Sequence, residues 1–322
     1  MHLCKPCIGL IRLLSSGFLW SYNGSSSQKC LAKMVGLEEL AMLDHVLWFR
    51  SGEAAAQRLH CAQSTVSRRN TETLRCFGLE MLRENGEWAL EGDQTLLRME
   101  RRVHQMHRFL SDEPLCRLEG SPWGGPVLAD PMPAGWVGGV WNHVGMERPL
   151  QLLRERVIDA WIGSYQPDMP LSDGEITVID LCRTPVHLVA HPGHPLASRQ
   201  TLVQQDLDPF PSLSLPSGMF PKTEAILRSH GLWTTPARMA RYKPELWEGQ
   251  TADQVTLSYA SCLALEVMEG LQLLPYDLGL MSGESLVVRS DLLPQPKVLA
   301  LLSSLRRRVS IKAKELPEIV CR

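Results

Sequence analysis

The 322-residue chain has no surplus of positive charge, since 33 Lys and Arg stand against 35 Asp and Glu. It is therefore not a nucleic-acid binder over its whole surface, and any contact with phosphate must come from a local basic patch. The nine cysteines are irregularly spaced, and only Cys4 and Cys7 form a Cys-x-x-Cys pair. Without a second pair there is no zinc site, and a disulfide scaffold would be smaller and denser in cysteine. Free thiols in a reduced cytoplasm are the expectation. The chain also lacks a Gly-x-Ser-x-Gly elbow, a phosphate-binding glycine loop and a His-Glu-x-x-His pair, so no familiar catalytic constellation is present and the chain reads as a non-enzyme. Internal repeats are absent, and the longest low-complexity tract is Ser25–Ser27.

Long apolar runs are scarce as well. Ile8–Trp20 is mostly apolar but broken by Arg12 and by Ser15, Ser16 and Gly17, which makes it too short and interrupted for a membrane span. Two readings of residues 1–33 stand side by side. One is a signal-peptide core, which would carry the rest out of the cytoplasm. The other, taken here, is an upstream extension with Met34 as the start, because the first fold signal begins just after it.

What is present is a soluble composition, 44% hydrophobic and 21% charged, in a chain long enough for two or three cores. Leu40, Leu43, Val46 and Leu47 share one helical face, which predicts a first helix over Leu37–Phe49. Ser51 can cap a second helix and Glu53 suits its first turn. Three alanines, Ala54–Ala56, let another helix approach closely. A tight turn at His60–Ala62 then leads into Gln63-Ser64-Thr65-Val66-Ser67-Arg68-Arg69-Asn70. A polar helix start after a three-residue turn fits a helix-turn-helix whose second helix enters the major groove. Gln63, Ser64, Thr65 and Ser67 are placed to reach base edges, and Arg68 and Arg69 to meet phosphate or guanine. An ordinary helical hairpin with a solvated arginine face has the same pattern. Further on, Asn85-Gly86 between apolar flanks predicts a two-residue hairpin.

Between Asp93 and Leu110 the apolar residues Leu96, Met99, Val103, Met106 and Leu110 step by three and four. That is a coiled-coil seam two heptads long, and it equally suits a helix packed on its own domain. Beyond about residue 115, strand-like runs (Ile176–Ile179, Val186–Ala190) alternate with helical ones (Pro149–Trp161, Lys222–His230), which argues for an α/β fold. His191 and His194 form a His-x-x-His pair, but prolines surround them and no further ligand type lies nearby, so no metal is expected.

The stretch Ala55-Ala56-Gln57-Arg58-Leu59-His60 followed by Gln63-Ser64-Thr65-Val66-Ser67-Arg68 resembles the signature of the LysR-type transcriptional regulators. His194-Pro195-Leu196-Ala197 before Gln205-Asp206-Leu207, and the helix-to-strand run Pro149–Gly163, are similar to recurrent features of the same family. The resemblance implies a winged helix-turn-helix over 34–92, a dimerisation helix over 93–113 and a two-lobed effector domain over 114–312, like a periplasmic binding protein. Lobe one would comprise 115–180 and 262–312, lobe two 181–261, and 313–322 would be a tail. The fold class is thus α/β with a helical DNA-binding head. The resemblance also implies double-stranded DNA, a small-molecule effector, a second copy of the chain in a dimer or tetramer, and RNA polymerase as partners, with no cofactor.

The implied effector walls are Ser121, Trp123, Ser164, Ser217 and Gly218, at strand ends and helix starts. Three departures from the family pattern stand out. Asn70 and Thr73 replace apolar residues on the inner face of the second helix, Gly52 replaces an aromatic, and the wing arginine falls on Glu84 unless Arg83 takes its place through a one-residue slip. Alternatives to a working regulator are a solute-binding receptor, or a regulator with a degenerate head that acts through protein contacts.

Overall fold

The structure is a computed structural model and describes residues 35–84, 86–239 and 241–322. The extension over 1–33, its Cys4–Cys7 pair and Asn85 lie outside the described residues. The head opens with three helices, α1 (Leu37–Phe49), α2 (Gly52–Arg58) and α3 (Gln63–Phe77). Ser51 caps α2 by accepting the Ala54 N–H at 3.2 Å. Buried Ala55 and Ala56 lack the bulk that would keep α1 and α3 away. A hairpin of β1 (Glu80–Glu84) and β2 (Glu87–Glu91) follows. Glu84 pairs with Glu87, so the turn has two residues, and Gly86 takes φ +85°, where a side chain would be strained. Leu40, Leu43, Leu47, Leu79 and Leu97 form the head's own core.

The helix α4 (Thr95–Leu110) is turned the opposite way from the expectation of an amphipathic helix packed by its apolar side. Its buried residues are Leu97, Arg101, Gln105, Arg108 and Phe109. The heptad seam lies outward, with Leu96, Met99, Val103 and Leu110 exposed at 54%, 63%, 67% and 76%, and only Met106 packs partly inward. Ion pairing makes this inversion possible. Arg101 Nε reaches Asp44 of α1 at 2.9 Å, and Arg108 clasps Asp159 with two bonds of 2.8 Å. Charges are tolerated in a core when they are paired and hydrogen-bonded.

Lobe one is built from β3 (Cys116–Gly120), α5 (Gly124–Ala129), β4 (Trp136–Gly138), α6 (Glu147–Arg154), β5 (Ala160–Gly163) and β6 (Ile176–Asp180). The chain then crosses into lobe two through β7 (Cys182–Ala190), α7 (Gln204–Leu207), β8 (Leu213–Ser214), α8 (Pro221–Ser229), β9 (Thr235–Pro236), β10 (Ser258–Ser261), α9 (Cys262–Leu265) and β11 (Gln272–Ser282). It returns with β12 (Ser285–Arg289), α10 (Pro296–Glu315) and β13 (Val320–Cys321). One sheet has the order β4-β3-β5-β12-β6, and the second is β10-β7-β11 with β13 also on β7.

Two boundaries differ from the sequence reading. The return to lobe one comes after Ser282 rather than at 262, because β11 pairs with β7 in the second sheet. Pro275 lies inside that strand, where the β7–β11 register shifts between Leu273 and Asp277 and spares the position its missing N–H. Residues 313–322 are no loose tail, because α10 runs to Glu315 and Val320 and Cys321 pair with Arg183 and Cys182.

The head is not an isolated ball either. Its Trp48, Phe49, Ala55, Ala56 and Val66 belong to the apolar cluster that continues through Leu152, Val157 and Trp161 of lobe one. Polar contacts reinforce the seam. Arg117 Nη1 of β3 reaches Asp44 at 3.0 Å, Arg58 donates to the Gly138 carbonyl at 2.8 Å, and Arg148 donates to the Leu47 and Trp88 carbonyls at 3.1 and 3.2 Å.

Candidate functional site

The first candidate surface is the start of α3. Ala62 precedes it with extended backbone and no side-chain cap, so first-turn N–H groups are left for another acceptor. Gln63, Ser64, Ser67 and Arg68 are exposed together there, while Thr65 is half-buried. Arg69 is half-buried as well and is drawn back to Glu39 of α1 at 3.2 Å. Arg83 is exposed on the wing, its guanidinium 5.5 Å from the centre of the Trp88 ring. Glu87 does not face outward as its place next to the hairpin turn suggests. It pairs with Arg50 at 2.8 Å and Arg148 at 3.4 Å, on the side toward lobe one.

Asn70 and Thr73 are buried at 4% and 2% exposure, and Asn70 Oδ1 and Thr73 Oγ1 have no hydrogen-bond partner. A buried polar oxygen without a partner is unfavourable at each of these two positions.

The second candidate is a cavity of about 110 Å³ between the lobes. Trp123, Ser164, Tyr165 and Gln166 line it from lobe one, and Phe220, Thr223, Leu227, Trp233, Trp247 and Tyr259 from lobe two. Tyr165 and Phe220 stack across it with ring centres 5.1 Å apart. Of the five walls read from the sequence, Trp123 and Ser164 line the cavity. Ser121 sits just beneath, bonded to Ser164 Oγ and accepting the Gly124 N–H at 2.9 Å. Ser217 and Gly218 do not line it. Their hydroxyl and N–H go to Glu224 at 3.1 and 2.9 Å, which uses them to brace the loop before α8. The aromatic residues were missed because they are scattered from 165 to 259 and share no local pattern.

Two carboxyls of this region, Glu284 and Glu119, are buried at 2% and 0% exposure. Glu284 accepts from Ser164 Oγ, and burial, opposed by that bond, pushes its carboxyl up to about 7. It also explains Gly124, where an added Cβ would collide with Glu284 Oε2. Glu119, on β3, is likewise pushed up to about 7 by burial, against the pull of bonds from the Gly120 N–H, Trp48 and the Trp141 N–H. The Trp48 Nε1–Glu119 Oε2 bond is 2.6 Å. The helix that packs on α3 is thereby joined to a strand whose end, at Ser121, touches the cleft floor.

His194 receives the Leu196 N–H at 3.0 Å and lies 3.1 Å from the Val255 carbonyl, so it clasps a loop. Among the described residues no group of three or more His, Cys, Asp or Glu is placed to hold a metal ion. No helix among them is long and apolar enough to cross a membrane.

The sequence model described as the LysR substrate binding domain matches residues 142–310. Among solved structures, a full-length single-site variant of OxyR from Pseudomonas aeruginosa is similar with a TM-score of 0.51 at 15% identity, covering 85% of this chain and 95% of that one. Full-length CbnR complexed with its target DNA is similar with a TM-score of 0.52 at 15% identity, covering 85% of this chain and 99% of that one. At such identity the likeness is one of fold. No sequence among the curated proteins matches.

Proposed function

The chain belongs to the LysR family of transcriptional regulators, and from that premise we propose that it binds operator DNA through α3 and the wing under control of a small molecule held between its lobes. The observation that carries this reading is the Trp48–Glu119 bond, which ties the DNA-reading head to the strand that ends at the cleft. An effector that favours one lobe angle over the other shifts the position of Glu119 and so the set of the head. Gln63, Ser64, Thr65, Ser67 and Arg68 read bases, while Arg69 and Arg83 support the backbone contact. Two copies join through Leu96, Met99, Val103, Met106 and Leu110, of which all but Met106 are exposed on the outer face of α4. Two heads then meet two half-sites about one helical turn apart. The domains assigned are a head over 34–92, a linker over 93–113 and an effector domain beyond it. The protein acts in the cytoplasm, and no catalytic step is part of this reading.

The test is titration of the protein with DNA from its own upstream region against scrambled DNA at two salt concentrations. Preference for the native site, weakening with salt, is expected. Arg68→Ala is expected to lose about 1–3 kcal/mol of that binding, and an unchanged titration removes Arg68 from the site. A second reading, a regulator whose head has lost DNA binding and acts through protein contacts, is favoured by the unpartnered Asn70 and Thr73. It takes the lead if no DNA binds even at low salt.

A further inference from the structure

We propose that the interlobe cavity selects an uncharged aromatic ligand that carries both a hydrogen-bond donor and an acceptor, as a primary amide does, over the corresponding carboxylate or ammonium. The proposal rests on the reading of this cleft as the effector site. The wall is mainly aromatic and aliphatic, and among the described residues no Lys, Arg, His, Asp or Glu lines it. An ion of either sign would enter without a counter-charge on the wall and would lose its hydration uncompensated.

The polar residues on the wall sharpen the choice. Ser164 Oγ donates to Glu284, Gln166 Nε2 donates to Asp180 at 3.3 Å and to Ser285 at 3.0 Å, and Thr223 Oγ1 donates to Asp168 at 2.6 Å. Each has spent a donor on a carboxylate behind the wall and keeps acceptor lone pairs for a ligand. Asp168 and Asp180 lie behind the lining and no cation lines it, so a carboxylate ligand finds no counter-charge on the wall. Two indoles that border the cavity, Trp233 and Trp247, are each only 4% exposed, and their N–H groups have no partner. A buried donor of this kind is costly until an acceptor arrives. A ligand carbonyl supplies the acceptor, and a ligand N–H meets the oxygen lone pairs.

The experiment compares benzamide, benzoate and benzylammonium, which share one ring and nearly one shape, with toluene as a hydrocarbon control. Binding to the full chain is read by tryptophan fluorescence and thermal shift. Benzamide is expected to bind about tenfold or more tightly than either ion, because the wall offers no counter-charge. Trp233→Phe keeps an aromatic ring, though a smaller one, and removes the N–H. It is expected to weaken benzamide several-fold more than it weakens toluene. A preference for benzoate or for benzylammonium overturns the proposal while leaving the cleft as the effector site. An equal effect of Trp233→Phe on benzamide and toluene also overturns it. If none of the four probes binds, the effector reading of the cleft itself falls, and the proposal with it.

Discussion

Replacing Asp44 by Asn tests whether paired charge joins the head to lobe one. Asp44 is 1% exposed and sits between two guanidiniums, Arg101 at 2.9 Å and Arg117 at 3.0 Å. Burial raises its carboxyl, but Arg101, Arg117 and Arg108 outweigh burial and hold it below the ordinary carboxylate range. The amide keeps the shape and removes the charge, which leaves two buried cations without their shared counter-ion. Breaking one side of a buried pair costs about 3–5 kcal/mol. Here the lower end applies, since Arg101 retains Glu155 at 3.3 Å and Arg117 retains the Val157 carbonyl at 2.9 Å. About 3 kcal/mol is a large share of the roughly 5–15 kcal/mol that holds a typical domain together. Urea denaturation at pH 7.5 reads the loss as a lower midpoint at unchanged slope. Adding Arg117→Met to Asp44→Asn should recover part of it, because one stranded cation is then gone. A loss below about 1 kcal/mol would refute the view that this cluster is a tightly coupled joint rather than a solvated surface network.

Three further outcomes are expected. Thr73→Val and Asn70→Leu each remove a buried polar atom that has no partner, and each should raise stability by about 1–2 kcal/mol in thermal or urea melts. A loss in both would mean that those groups are bonded in solution. Val103→Glu, on a residue 67% exposed within one chain, should convert the oligomer to monomer in sedimentation velocity while leaving the folded monomer intact. An unchanged oligomer would move the interface elsewhere. Glu284 has a carboxyl raised by burial to about 7 from a reference of 4.5, so its neutral form supports the fold fully below pH 4.5, and that support is lost as pH rises through 7. Measured against Glu284→Gln, the wild type should thus lose stability between pH 5 and 7.5 by a few kcal/mol, at about 1.4 kcal/mol per pH unit. The buried histidines are common to both proteins and cancel in the difference. A flat difference would mean that Glu284 is solvated.

Local pattern settled the elements of the head. The leucine spacing of α1, the Ser51 cap, the alanines of α2 and the glycine Gly86 after β1 each act within a few residues, so propensity and periodicity were enough. The alternation of strands and helices likewise set the α/β class, and the step of Leu96, Met99, Val103, Met106 and Leu110 set the helix itself. Which face of that helix turns inward was decided only in three dimensions. Its partners, Asp44 and Asp159, lie more than fifty residues away from Arg101 and Arg108 along the chain, and their charges decide between the two packings that the apolar spacing leaves open. The place of β11 was decided by pairing with β7, a strand far back along the chain, and hydrogen-bond register of that kind leaves no local mark. The cavity walls, drawn from residues as distant as Trp123 and Leu280, exist only where the two lobes meet. Local chemistry thus determined the elements, while long-range pairing of charges and strands decided their orientation and what they enclose.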